Sequence, residues 1–290
     1  MKYPIPSPIF DTLEHSELPL SGTNNLAFCH QDFKLAFDFL KQYDGNKATF
    51  LCYRKEIERF LQWSWLVEKK SILELKNDDL ERYIKFCLSP PRSWIGFKIV
   101  SRFKIVNGEK EPNKNWKPFI ATLSKLQRKN GDNLSKNGDN LTKNSYKLSQ
   151  KSIQEIFVTL GSFYNHLISQ NISSYNPIAS IRQKSKFITK SQGIATVRRL
   201  SDIQWQTVVN TAKELALNEP NKHERTLFII SCLYLMYLRV SELVKADRWS
   251  PQMNHFYQDS YQNWWFKTVG KGNKERSIAV NDDMLKALIR

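Results

Sequence analysis

The sequence predicts a mainly α protein with a small β-hairpin or sheet near its C-terminal end, on three observations. Apolar residues recur at three- and four-residue spacing in several separate stretches, which lines them up on one face of a helix. An apolar run at residues 227–238, broken only by Ser231, is too short for a membrane span of about 20 residues and reads as a buried helix. From residue 264 onward, aromatic and β-branched residues flank a Gly- and Lys-rich turn, the pattern of a hairpin.

The first 45 residues mix prolines and polar residues with one short helix around residues 32–43, and are expected to form an N-terminal arm. A helix follows over 48–68, carried by Phe50, Ile57, Phe60, Leu61 and Trp65. The next starts at Asp78, with Leu80, Tyr83, Ile84 and Cys87 on one face, and Pro90-Pro91 ends it. The clearest amphipathic pattern spans 149–170, with Ile153, Ile156, Phe157, Leu160, Phe163, Leu167 and Ile168, and Asn176-Pro177 is expected to close this unit. These helices define a first domain over 46–181.

An insertion near 89–150 interrupts it. Its stretch at 130–143 is a tandem heptapeptide, Asn-Gly-Asp-Asn-Leu-Ser-Lys then Asn-Gly-Asp-Asn-Leu-Thr-Lys. One Leu per repeat makes no coiled-coil seam and Asn-Gly-Asp is turn chemistry, so a flexible basic loop is expected. Trp94 and Trp116 have the composition around them of packing anchors more than of base-stacking platforms.

Residues 182–199 lack apolar periodicity and carry Lys184, Lys186, Lys190, Arg198 and Arg199. They read as a basic linker, which simple solvation would account for. A second domain over 200–290 opens with Ser201 as helix cap, followed by a helical face of Ile203, Val208, Val209, Ala212 and Leu215. After the apolar run, residues 264–269 and 276–280 form the two arms of the hairpin.

Composition narrows the partner. The chain of 290 residues, 41% hydrophobic, can bury a substantial core in two domains. It carries 44 Lys and Arg against 28 Asp and Glu, a net +16 with pI near 9.6. Such a balance favours a polyanion, and because the charge is dispersed rather than set beside an amphipathic tail, nucleic acid ranks above a membrane surface. Cys29, Cys52, Cys87 and Cys232 have neither zinc-site pairing nor the density of a disulfide scaffold. They read as reduced core thiols. With prolines at positions 4, 6 and 8 in place of a signal peptide's apolar core, the expectation is a cytoplasmic protein.

Two motifs carry chemistry. Leu238-Arg239-Val240-Ser241-Glu242-Leu243 directly follows the apolar run, and Gly270-Lys271-Gly272-Asn273-Lys274-Glu275-Arg276 occupies the hairpin. An Arg held at the edge of a core suits charge stabilisation on a phosphate, since its fork stays protonated and donates two parallel hydrogen bonds. Taken alone, Arg239 is better explained by a salt bridge to Glu242 that caps the buried helix. A Lys between two glycines can insert its ammonium into a groove, although any hairpin can carry a solvated basic turn.

Together these motifs resemble the tyrosine recombinase (phage integrase) family. The resemblance implies an N-terminal helical core-binding (SAM-like) bundle that clamps double-stranded DNA, followed by the first part of an α+β catalytic domain. It gives Arg239 and Lys271 catalytic roles and makes Lys274 and Arg276 phosphate contacts, with neither metal nor nucleotide needed. It also has the linker cross the DNA backbone with Lys184, Lys186, Lys190, Arg198 and Arg199, a reading about even with simple solvation. The complete enzyme would act as a homo-oligomer, a tetramer on paired sites, in DNA integration by a mobile element.

The chain departs from the family pattern after Arg276. None of His15, His30, His166, His223 and His255 is followed three places on by Arg, and no Tyr can be assigned as nucleophile. The expectation is a truncated catalytic domain that binds DNA and does not cut it alone. Two alternatives stand beside it: a DNA-binding decoy or regulator, which would be soluble and monodisperse, and an unrelated basic helical scaffold, in which Arg239→Ala and Lys271→Ala would change nothing.

Overall fold

The computed structural model describes residues 3–13, 27–121, 146–183, 187, 199–246, 249–270 and 272–289. The chain divides into two compact units, Met1–Gln192 and Gly193–Arg290, and its fold is mainly α with small sheets.

In the first unit, α1 (Cys29–Lys41), α2 (Lys47–Trp63), α3 (Asn77–Leu88) and α4 (Gln150–Ser169) bury their apolar faces in one core. Local chemistry sets their starts. The Asn46 side chain accepts from the Thr49 amide ahead of α2, and Ser149 accepts from Ser152 ahead of α4. Helix α2 runs on through a π-helical turn, Ser64–Glu68, which ends where Lys69 turns left-handed. The centre is aromatic: Phe60, Trp63, Tyr83 and Tyr164 are buried together, with Phe60 and Tyr83 rings 5.1 Å apart.

Three features differ from the sequence expectation. Asn176-Pro177 opens a helix instead of closing the unit: Asn176 Oδ1 accepts from the Ile178 and Ala179 amides, and α5 (Pro177–Gln183) returns Ile178 and Ile181 to the core. The segment expected as an arm contributes Ile9, Phe10 and most of α1 to that core. Buried Glu58 holds the segment by accepting from the Ile9 and Phe10 amides, while Arg102 pairs with Glu58 and donates to the Phe10 carbonyl. Short local sequence could not show that these backbone groups meet a carboxylate 48 positions away.

The insertion is the third. Its described part holds two small sheets, β1 (Ile95–Gly96) parallel to β4 (Phe119–Ile120) and a hairpin of β2 (Phe103–Val106) with β3 (Glu109–Pro112). Asn107 and Gly108 both have positive φ, as its two-residue turn requires. Trp94 is fully buried with its indole donating to the Pro4 carbonyl, and Trp116 lies buried under the Arg102 guanidinium, so both are packing anchors. The tandem heptapeptide lies outside the described residues.

The second unit opens with α6 (Asp202–Asn218), capped reciprocally by Ser201 and Gln204, and α7 (Pro220–Leu235), which has Pro at its first position. A single turn, α8 (Val240–Leu243), leads to an antiparallel sheet of β5 (Phe256–Gln258), β6 (Trp264–Val269) and β7 (Glu275–Ala279) in sequence order, then α9 (Asp282–Ile289). Cys232, Met236 and Leu238 pack with Phe266, Val280 and Met284.

Burial here is narrower than the apolar run suggests. Leu227, Cys232, Met236 and Leu238 face inward, whereas Ile229, Tyr234 and Tyr237 are exposed. On α6 the buried residues are Ala212 and Ala216, and the larger Ile203, Val208 and Leu215 face solvent. Small residues let α6 lie close against Leu227 and Ile230 of α7, and the sheet and α9 cover only the opposite side of that helix.

Candidate nucleic-acid interface

Glu242 is the hub of the second unit's polar chemistry. Its side chain is 0% exposed, yet it sits one turn after Arg239, whose side chain is 63% exposed. The reason is capping geometry: Arg239 stands just before α8 in an extended conformation, and Glu242, three residues on, reaches back to accept the Arg239 amide at 2.7 Å. The same carboxylate accepts from Arg239 Nη1 at 3.3 Å.

The second cation comes from the hairpin. Arg276 on β7 donates through Nη2 to both Glu242 oxygens, at 3.0 and 2.8 Å, with its side chain 42% exposed. Buried Leu238 and Phe266 bring the two motifs into one core, so the carboxylate lies between them. Burial by itself would push the Glu242 carboxyl up. The hydrogen bonds from the Arg239 amide and the Arg276 guanidinium, with the charges of both arginines, outweigh it and hold the carboxyl below the usual carboxylate range.

The turn between the strands sits beside this hub. The Gly270 amide donates to the Lys274 carbonyl at 2.8 Å, and Gly272 and Asn273 take positive φ to close the turn. A Cβ on Gly270 would lie 3.0 Å from Glu242 Oε1 and 3.7 Å from Arg239 Nη1, so glycine allows the turn to reach the carboxylate. Trp249 adds a fixed point by donating its indole N–H to the Glu242 carbonyl at 3.0 Å.

The arrangement is a buried anion that neutralises part of two arginines and leaves much of each guanidinium facing solvent. Such a pair, fixed from behind, offers preorganised donors to an external phosphate. The salt bridge to Glu242 that the sequence offered for Arg239 forms, and it leaves most of the Arg239 side chain exposed.

Of the sequence-expected residues, Arg239 and Arg276 come together on Glu242. Lys274 is exposed in the adjoining turn, and Arg199 is exposed ahead of α6. Lys271, Lys184, Lys186, Lys190 and Arg198 lie outside the described residues. The part that sequence reasoning missed is the link from Glu242 to Arg276; the three-residue step from Arg239 to Glu242 signals only the local half of it.

Away from this site the chemistry is structural. Cys29, Cys87 and Cys232 are buried free thiols, and burial pushes Cys87 and Cys232 up to about 12. Among the described residues no cluster of three His, Cys, Asp or Glu could hold a metal ion, and no helix is long and apolar enough to cross a membrane.

No family model matches the chain. It is similar to tyrosine recombinase XerD of Rickettsia prowazekii (strain Madrid E), 30% identical over 141 residues, which are 48% of this chain and 42% of that protein. It is also similar to tyrosine recombinase XerD of Rickettsia conorii (strain ATCC VR-613 / Malish 7), 29% identical over 133 residues, 46% of this chain and 40% of that protein. The matches thus span about two fifths of the length of these curated relatives. A solved structure, XerH site-specific recombinase bound to palindromic difH substrate in a post-cleavage complex, aligns with a TM-score of 0.47 at 9% identity, over 93% of this chain and 61% of that one.

Proposed function

We propose, from the premise that this chain is a relative of the tyrosine recombinases, that it is a site-specific recombination protein that binds double-stranded DNA. In this reading the helical first unit and the second unit grip the duplex as a clamp, with Lys184, Lys186, Lys190, Arg198 and Arg199 along the connecting segment. Arg239, Lys274 and Arg276 hold backbone phosphates, and with a nucleophile supplied Arg239 would take the scissile phosphate and Lys271 would protonate the 5′ oxygen that leaves. The 290 residues themselves contain no His-x-x-Arg and no Tyr in a position to act as nucleophile. In this reading these 290 residues by themselves bind DNA without forming a phosphotyrosine bond.

The observation that carries the reading is the shared Glu242, which fixes two half-exposed arginines from the two separate motifs beside the Lys271-bearing turn. A solvated basic turn does not need a buried carboxylate behind it.

The test is equilibrium binding of fluorescently labelled duplex DNA across a salt series. Binding should weaken linearly in log salt, and Arg239→Ala should reduce the slope by ~0.9, the signature of one lost phosphate contact. Incubation with nicked duplex should leave no covalent adduct. Duplex affinity indistinguishable from that of an uncharged control protein at low salt would overturn the reading.

A further inference from the structure

Tyr237 holds an unusual position next to the proposed phosphate site. It follows α7 and has φ of +51°, the left-handed conformation that helices usually close with glycine. A side chain there is strained by contact of its Cβ with the neighbouring carbonyl. The strain is not offset by packing, since Tyr237 is 84% exposed. Neighbouring Leu238 is buried and pins the chain to the core, leaving Tyr237 and Arg239 on either side of it at the surface.

An aromatic residue that is strained, solvent-facing and unhelpful to the core calls for a role outside the fold. The reach is short. Two residues of chain keep the Tyr237 and Arg239 Cα atoms within about 7 Å of each other, about the spacing of neighbouring phosphates on one strand. Tyrosine is among the side chains that donate to DNA phosphates, and its ring can also cover the sugar face.

We propose that Tyr237 is a DNA-binding residue whose hydroxyl donates to a backbone phosphate adjoining the one held by Arg239. The assignment rests on the reading of the second unit as a DNA-binding surface. It adds a neutral contact to a site otherwise built from cations, and it explains why the chain keeps tyrosine where glycine would relieve strain.

The structural and binding roles predict opposite signs, which makes the assignment testable in the 290-residue chain. Tyr237→Gly relieves the left-handed strain, so the thermal midpoint should stay level or rise by a few degrees while duplex affinity falls by roughly tenfold, as for a lost hydrogen bond to a charged acceptor. Because the phenol is uncharged, the salt slope should not change, in contrast with Arg239→Ala. Tyr237→Phe retains both ring and strain. It should melt with the wild type and bind as weakly as Tyr237→Gly.

A wild type that binds duplex DNA alongside a Tyr237→Phe variant of equal affinity overturns the hydroxyl contact. Equal affinity in Tyr237→Gly overturns any contact by Tyr237, with the broader reading left standing. A wild type that fails to bind duplex DNA overturns both.

Discussion

Replacing Glu242 by Gln tests the hub with almost no change of shape. With its oxygen at the Oε2 place the amide still accepts from the Arg239 amide and from Arg276 Nη2 at 2.8 Å, but the new NH2 at the Oε1 place faces Arg276 Nη2 and Arg239 Nη1, donor against donor, where bonds of 3.0 and 3.3 Å existed. A hydrogen bond to a charged group is worth about 1.5–3 kcal/mol. Arg276 keeps one bond and, being 42% exposed, regains water for the donor that loses its acceptor, so the net loss is about 2 kcal/mol instead of the larger cost of stranding a fully buried partner. For a unit the size of Gly193–Arg290, that corresponds to a fall of about 8–15 °C in its thermal midpoint.

A double-mutant cycle with Arg276→Ala isolates the pair, and its coupling should be about 2 kcal/mol at neutral pH. The pH dependence has a definite sign. The folded carboxyl is held below its ordinary value of 4.5, so the stability it contributes is complete above that value and is lost as pH falls through the depressed folded value. Wild type and Glu242→Gln should therefore converge in acid. Coupling within about 0.5 kcal/mol of zero at pH 7, or a difference that persists unchanged in acid, refutes the hub.

Two further outcomes follow from burial. Trp94→Ala should destabilise the first unit by about 3–5 kcal/mol in a denaturant titration, because the ring is fully buried and its indole holds the Pro4 carbonyl. The duplex affinity of the folded fraction should be unchanged, and a loss of affinity without loss of stability would make Trp94 a stacking residue instead. Thiol labelling of the native protein with a disulfide reagent should modify half-buried Cys52 first, with Cys29, Cys87 and Cys232 reacting only on unfolding. Rapid reaction of all four would contradict the packing.

The sequence alone determined the helices, because amphipathic spacing and caps such as Ser149 and Ser201 are encoded within one or two turns. It also determined the β6–β7 hairpin and the two motifs, whose residues are adjacent in the chain. Tertiary structure decided what depends on distant partners. Asn176-Pro177 reads locally as a stop, yet Ile178 and Ile181 find a core built by residues far upstream. The prolines near the N-terminus suggest an arm, but Glu58 and Arg102 fix its backbone. The apolar run looks buried throughout, while only the side facing α6 and the side facing the sheet and α9 are covered. At the candidate site the chain encodes Arg239 and Glu242 three residues apart. That one carboxylate also holds Arg276, 34 positions on, follows only from folding, because burying its charge requires more than one donor and the hairpin brings Arg276 to it.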